Sequence, residues 1–430
     1  MSKKQDKPKN ENGSKNKFLF MLYAAMLGAL AGAIVWLFLK IMESGTYLLW
    51  EYIPTKLGNV LLYPLFICIF GGLLIGIWRR IYGDYPENFE EVILEVKEKK
   101  RYDKKPHAIL VAAILPLIFG GSIGPEAGLA GVAAALSARI ADRLTAMNKK
   151  FKELAEMGTS ATLSILFRSP LFGIMANVES GGINNNGNNS EEEQDVSFPG
   201  PTKLMLYFVL ILSGLGVLTF LTNSLGGGLH IVKFDSAVTS SSEAIWFLPL
   251  IILGIIFGFL YHAFEHFTHN ILKPINKFKI IASILGGVIM GGFAIFAPML
   301  MFSGEVQMTV VMHEWTTFAP VILLAFAILK LLLTSICINT GWRGGHIFPI
   351  IFSGVCLGYA VALISGIDSS FAVAAVTTAL CGAILKKPVA VIMIMLIAFP
   401  IDNIILLSAA AFLGSFISTK NKKKIKENVI

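Results

Sequence analysis

GGSIGPEAG, residues 120–128, decides the fold of this chain. Apolar runs flank it at about 108–119 and 129–147, so glycine and proline interrupt what would otherwise be one helix at membrane depth. An unpaired backbone N–H in hydrocarbon costs several kcal/mol, and broken backbone survives there only where it is buried or lines a polar path. The break recurs. GGSIGP at 120–125 returns as GGHIFP at 344–349, and LFRSPLFGIM at 166–175 returns as ILKKPVAVIM at 384–393, in the same order and at nearly the same distance. Two such matches indicate a duplicated membrane unit, an arrangement that commonly places a substrate site between the repeats.

Composition agrees. The chain has 430 residues, 55% hydrophobic and 15% charged. A soluble domain carries about 25% charged residues, so a soluble globular protein is excluded, and a β-barrel would show short alternating segments. The apolar residues suffice for about ten helical crossings. The expected fold is therefore an all-α integral membrane protein with broken and partial helices. Its parts are a cytoplasmic basic tail at 1–17, a first membrane repeat at 18–180, a polar acidic loop at 181–202, a second repeat region at 203–418 and a second basic tail at 419–430.

The net charge of +8 is topological. Six lysines precede the first apolar run and five follow the last, which places both termini in the cytoplasm of a multi-pass protein in the cell membrane. A further basic block runs from Arg79 and Arg80 to Lys105. These charges meet lipid headgroups rather than nucleic acid. Cys68, Cys337, Cys356 and Cys381 lie in apolar runs without metal-type spacing and read as small buried side chains.

The first turn of a helix has free N–H groups and the positive end of its dipole, which favours an anion. Two such termini, after the breaks at 120–128 and 344–349, would hold an anion without a fixed positive charge. Glu126 lies in one of them, among small apolar residues. An intramembrane carboxylate is a functional-site candidate by default. Charged, it can take the anion's place; protonated, it can leave. That makes a gate or a proton carrier.

At these residues the chain resembles the CLC family of chloride channels and chloride–proton antiporters, in its prokaryotic form without CBS domains. Gly124-Pro125-Glu126-Ala127-Gly128 resembles the family's gating-glutamate motif, and Gly345-His346-Ile347-Phe348-Pro349 its Gly-x-Phe-x-Pro motif. Ser169-Pro170-Leu171-Phe172-Gly173 resembles its Ala-Pro-Leu-x-Gly helix, and Tyr82–Glu87 faintly echoes its Gly-Ser-Gly-Ile-Pro-Glu segment. The resemblance implies two inverted repeats, a homodimer in the bilayer with one chloride path per subunit, no enzymatic activity and no cofactor. It makes Glu126 the external gate. The amides of His346 and Ile347, after Gly345, would line a central anion site, and the loop with Gly124, Ala127 and Gly128 an outer one.

The departures are specific. Gly83 stands at the inner-gate serine, no pore-facing tyrosine follows Tyr359, and Pro125 and Ile347 replace a basic residue and a phenylalanine. Proton-coupled members carry a Glu-Glu pair whose second member passes protons. Here the pair aligns with Glu179-Ser180, leaving Glu179 as the internal candidate and both antiport and passive conduction open. The motifs do not favour the fluoride-specific branch.

A competing motif is His262-Ala263-Phe264-Glu265-His266, an H-x-x-E-H pattern that would put two histidines on one helix face for zinc. It makes a membrane-embedded metallopeptidase using His262, Glu265 and His266 the remote alternative. The other reading is a helix end meeting water.

Overall fold

The computed structural model describes residues 11–58, 60–86, 105–145, 149–181, 201–229, 231–237 and 241–416. Residues 1–10 of the first tail, 182–200 of the acidic loop, the whole 419–430 tail, Glu87 and the basic positions from Lys97 to Lys104 lie outside them. Among the described residues the chain is helical, with one isolated antiparallel bridge between Gly124 and Gly345.

Backbone in hydrocarbon has only its own groups for partners, so each apolar run coils, and glycine or proline marks where coiling stops. Helix α1 (Glu11–Tyr47) passes through a π turn into α2 (Ile53–Leu57), which ends at left-handed Gly58. It is longer than the apolar run that starts it, because no breaker follows Leu39 until Pro54 and Gly58, and Gly45 is tolerated within the helix. Helix α3 (Tyr63–Tyr82) opens on Pro64 and ends at Gly83, with φ at 101°. Then come α4 (Pro106–Ile118), α5 (Glu126–Thr145), α6 (Lys149–Leu166), α7 (Phe172–Gly181) and α8 (Pro201–Leu225). The second half holds α9 (Ser241–Leu272), α10 (Lys279–Phe296), α11 (Glu305–Glu314) and α12 (Pro320–Thr340). It ends with α13 (Ile347–Ser365), α14 (Ser369–Leu385), α15 (Pro388–Ala398) and α16 (Ile404–Phe416).

Among the described residues seven helical segments are long and apolar enough to cross a membrane: α1 with α2, α3, α8, α9, α10, α12 and α13. The other apolar helices are shorter, α4 with 13 residues and α15 with 11. Thirteen residues reach about 20 Å, against about 30 Å of hydrocarbon. The apolar residues that would suffice for about ten crossings are thus divided between seven long helices and shorter, partial ones, as the broken-helix reading expects.

The halves are packed together rather than side by side. Helix α3 lies along α10, and α1 along α8. At the first contact a Cβ on Gly72 would overlap the Ser283 carbonyl, and one on Gly287 the Cys68 carbonyl. Both glycines are there to let backbones touch, which is how helices associate where lipid is as apolar as they are. All four cysteines are buried and free.

One buried charge braces this core. Lys330 on α12 is 0% exposed, and its ammonium donates to the carbonyls of Leu300, Met301 and Phe302 at 3.0, 3.2 and 2.8 Å. It also lies 5.1 Å from the centroid of the Phe352 ring. Phe302 has φ at 59°, a left-handed conformation that a bulky residue keeps only when its surroundings hold it. Its N–H donates to Gly120 O at 3.3 Å, so the clamp steadies the start of the 120–128 break. Lys330→Met is expected to lose about 3 kcal/mol, since three buried acceptors lose a charged donor. The melting temperature of detergent-solubilised protein checks this, and an unchanged value would refute the clamp.

Candidate functional site

The two sequence breaks meet. Gly124 N donates to Gly345 O at 2.8 Å, and Gly345 N returns the bond to Gly124 O at 2.7 Å. This pair fixes the start of α5 against the start of α13, each with its free first-turn amides. Glu126 opens α5 and is 1% exposed. Its Oε1 accepts the Ile347 N–H of α13 at 2.6 Å, and the amides of Phe348 and Glu126 itself also act on the carboxylate. Its Oε2 is buried and has no hydrogen-bond partner. A carboxylate thus occupies the anion-seeking end of the opposite repeat's helix, a position where an anion is favoured.

The structure brings Gly124, Glu126, Gly345 and Ile347 to one point. A Cβ on Gly124 or on Gly345 would strike the Glu126 carboxylate, so these glycines make the space it fills. Ala127 is 1% exposed in the first turn of α5. Gly128 faces elsewhere: its Cβ would overlap Ala113 of α4, which makes it a packing position. His346 caps α13, and its ring lies against Tyr261 of α9 with centroids 5.9 Å apart. Ser122, fully buried, sits with its hydroxyl 3.4 Å from that of Thr334, tying the first break to α12.

Gly83 lies apart from this point, in a polar cluster at the end of α3. There Asp84 accepts from Arg79 Nε at 2.8 Å and pairs with Lys279 at 3.2 Å, and its carbonyl accepts from Arg343 Nη1 at 3.2 Å. Burial pushes the Asp84 carboxyl up, but Arg79, Arg343 and Lys279 together outweigh it and hold the group below the usual carboxylate range. Arg343 connects this cluster to the Gly344–Gly345 segment in two residues of chain. Glu179 is also apart: at the end of α7, its two oxygens accept the Val389 and Ala390 amides at 2.9 Å each. It caps the N-terminus of α15.

Sequence reading missed Lys330, Tyr261 and Arg343. A signal existed for Lys330, the one charge in the apolar run at 318–338. Tyr261 gave none, being an aromatic residue in an apolar helix.

The H-x-x-E-H stretch does not gather as a metal centre. His262 Nδ1 faces Glu265 at 3.5 Å, while His266 Nε2 is engaged with the Asn270 amide at 3.0 Å. Among the described residues no group of three His, Cys, Asp or Glu side chains is placed to hold a metal. The metallopeptidase alternative is set aside on these pairings and on the relationships that follow.

Broken helices from two halves, meeting at a buried carboxylate within a bundle of crossing helices, define a membrane transport protein. A family model described as voltage gated chloride channel matches residues 71–419, and the chain belongs to that family, whose work is anion transport. Among its relatives is the putative ion-transport protein YfeO of Escherichia coli O1:K1 / APEC, 26% identical over 366 residues, covering 80% of this chain and 79% of the relative. Among solved structures it is similar to a CLC-type fluoride/proton antiporter, with a TM-score of 0.71 at 20% identity, covering 93% of this chain and 95% of that one. It is similar also to a slow cyanobacterial Cl-/H+ antiporter, with a TM-score of 0.74 at 18% identity, covering 92% and 93%. These likenesses give the CLC-type fold of two inverted repeats, and the family match lends the peptidase no support.

Proposed function

We propose that the protein moves chloride across the cell membrane by a path between the starts of α5 and α13, gated by Glu126 and coupled to protons through it. The observation that carries this is the Glu126 carboxylate on the Ile347 N–H. A charged carboxylate there excludes an anion from the same donors. Protonation weakens its hold and vacates the donors, so anion entry and proton uptake become alternatives at one place. Amides of His346 and Ile347, with Gly345 before them in the second break, form the central anion contact, and Gly124 and Ala127 of the first break and the first turn of α5 form the outer one, while Gly128 serves packing. The working unit is a homodimer in the bilayer, with both basic termini in the cytoplasm. The protein performs no covalent chemistry and needs no cofactor.

One observation favours passive conduction instead. The carboxylate of Glu179, at the position of the family's internal pair, is occupied as a cap for α15, and Ser180 follows it. Flux in reconstituted liposomes tests both readings. A chloride gradient is expected to drive chloride out and protons uphill, and substituting fluoride or nitrate for chloride ranks the anions. Chloride flux without proton movement would make the protein a channel. No halide or nitrate flux from well-folded protein would reject the proposal.

A further inference from the structure

Tyr261 of α9 is 3% exposed, and its ring has two imidazoles beside it, the centroid of His262 at 5.8 Å and that of His346 at 5.9 Å. His262 turns Nδ1 towards the exposed carboxylate of Glu265 at 3.5 Å, while its Nε2 is enclosed by protein with no hydrogen-bond partner. At the other end, His346 directly precedes Ile347, whose N–H holds Glu126, and Glu126 Oε2 is buried with no partner. A series of groups able to accept and donate protons therefore runs from the exposed Glu265 to His346, the residue next to the amide that holds Glu126.

The open end of the series is the side on which α1 begins. Helices α1 and α3 are consecutive crossings, so α3 ends on that side, and Lys279 at the start of α10 meets Arg79 and Asp84 there. The link from α9 to α10 is short, and Asn276 within it donates to Asn339 O at the end of α12 at 2.6 Å. The final turns of α9, which carry His262 and Glu265, thus open on the same side.

We propose that Glu265, His262, Tyr261 and His346 form a proton path from that side of the membrane to Oε2 of Glu126. A proton taken up at His262 Nδ1, beside Glu265, releases the one on Nε2. The Tyr261 hydroxyl accepts it and gives up its own to one nitrogen of His346. His346 then releases a proton from its other nitrogen to Glu126 Oε2, which becomes a neutral acid. Only N–H and O–H bonds form and break, and one proton has moved. The centroid spacings make the rings neighbours, and each transfer passes through side-chain rotation or an intervening water. The path supplies from α9 what the chain lacks at Ser180, and it gives the H-x-x-E-H stretch a use that needs no metal.

The inference rests on Glu126 as the proton-coupled gate, and the test separates the two. Wild type, Tyr261→Phe, His262→Gln and the double variant are reconstituted in liposomes under a chloride gradient, with chloride and proton movements recorded together. The double variant is expected to lose about tenfold or more of its proton flux while chloride flux stays close to wild type. An unchanged ratio of protons to chloride in the double variant overturns the path and leaves Glu126 as the gate. Wild type that moves chloride without protons overturns both. A variant that keeps its melting temperature but loses both fluxes together also overturns the path, because Tyr261 would then belong to the anion route. Should Tyr261→Phe fail to fold, His262→Gln, at a half-buried position, decides alone by the same ratio.

Discussion

Glu126→Gln is expected to abolish chloride-driven proton movement, lowering it about a hundredfold or more, while chloride continues to pass. The substitution keeps the shape, and the amide oxygen can still accept the Ile347 N–H. Two things are lost. The neutral side chain no longer brings a negative charge to the donors at the start of α13, so chloride competes with it more easily. It also cannot take up and release a proton, which is the step that couples the ions. The new amide nitrogen falls where Oε2 now sits, buried and without a partner, so its N–H groups find no acceptor and favour displacement of the side chain. Paired chloride and proton recordings in liposomes check this. Proton flux equal to wild type would remove Glu126 from the coupling mechanism.

How much of this was visible beforehand follows from the range of each interaction. The breaks at 120–128 and 344–349 were legible because glycine and proline act locally, and Glu126 because a lone carboxylate in an apolar run is costly wherever the chain goes. That the two breaks pair backbone to backbone was not legible, since Gly124 and Gly345 carry no side chain that could advertise a partner. The capping role of Glu179 depends on amides more than two hundred residues away in sequence, Val389 and Ala390. Tyr261 is indistinguishable from any lipid-facing aromatic until α9 is laid against the start of α13. Lys330 differs from these. Its charge stood out in the sequence, but its three carbonyl partners come from a turn between α10 and α11 that no periodicity describes. The motif at 262–266 shows the opposite error: helical spacing put two histidines on one face, yet each ring found a different neighbour.

The glycines beside Glu126 give the gate a test that leaves Glu126 itself untouched. Gly124→Ala places a methyl group where the Glu126 carboxyl now lies, and Gly345→Ala does the same from the other strand of the bridge. Neither glycine has a left-handed φ, so alanine fits both backbones, and the amide–carbonyl pair between them needs no side chain. The atoms struck are at the end of a flexible side chain, so the carboxylate yields before the backbone does. Leaving the Ile347 N–H costs the bound position a charge-assisted hydrogen bond, about 2 kcal/mol, which shifts the occupied-to-vacant ratio by about thirtyfold. Chloride flux near neutral pH is therefore expected to rise and to lose most of its dependence on acidification, and the proton-to-chloride ratio to fall. Gly128→Ala is the control: its methyl group meets Ala113 of α4, so it strains helix packing without displacing the carboxylate. If Gly124→Ala folds as wild type and its chloride flux keeps the wild-type response to pH, the carboxylate on the start of α13 is a structural cap and the gate lies elsewhere.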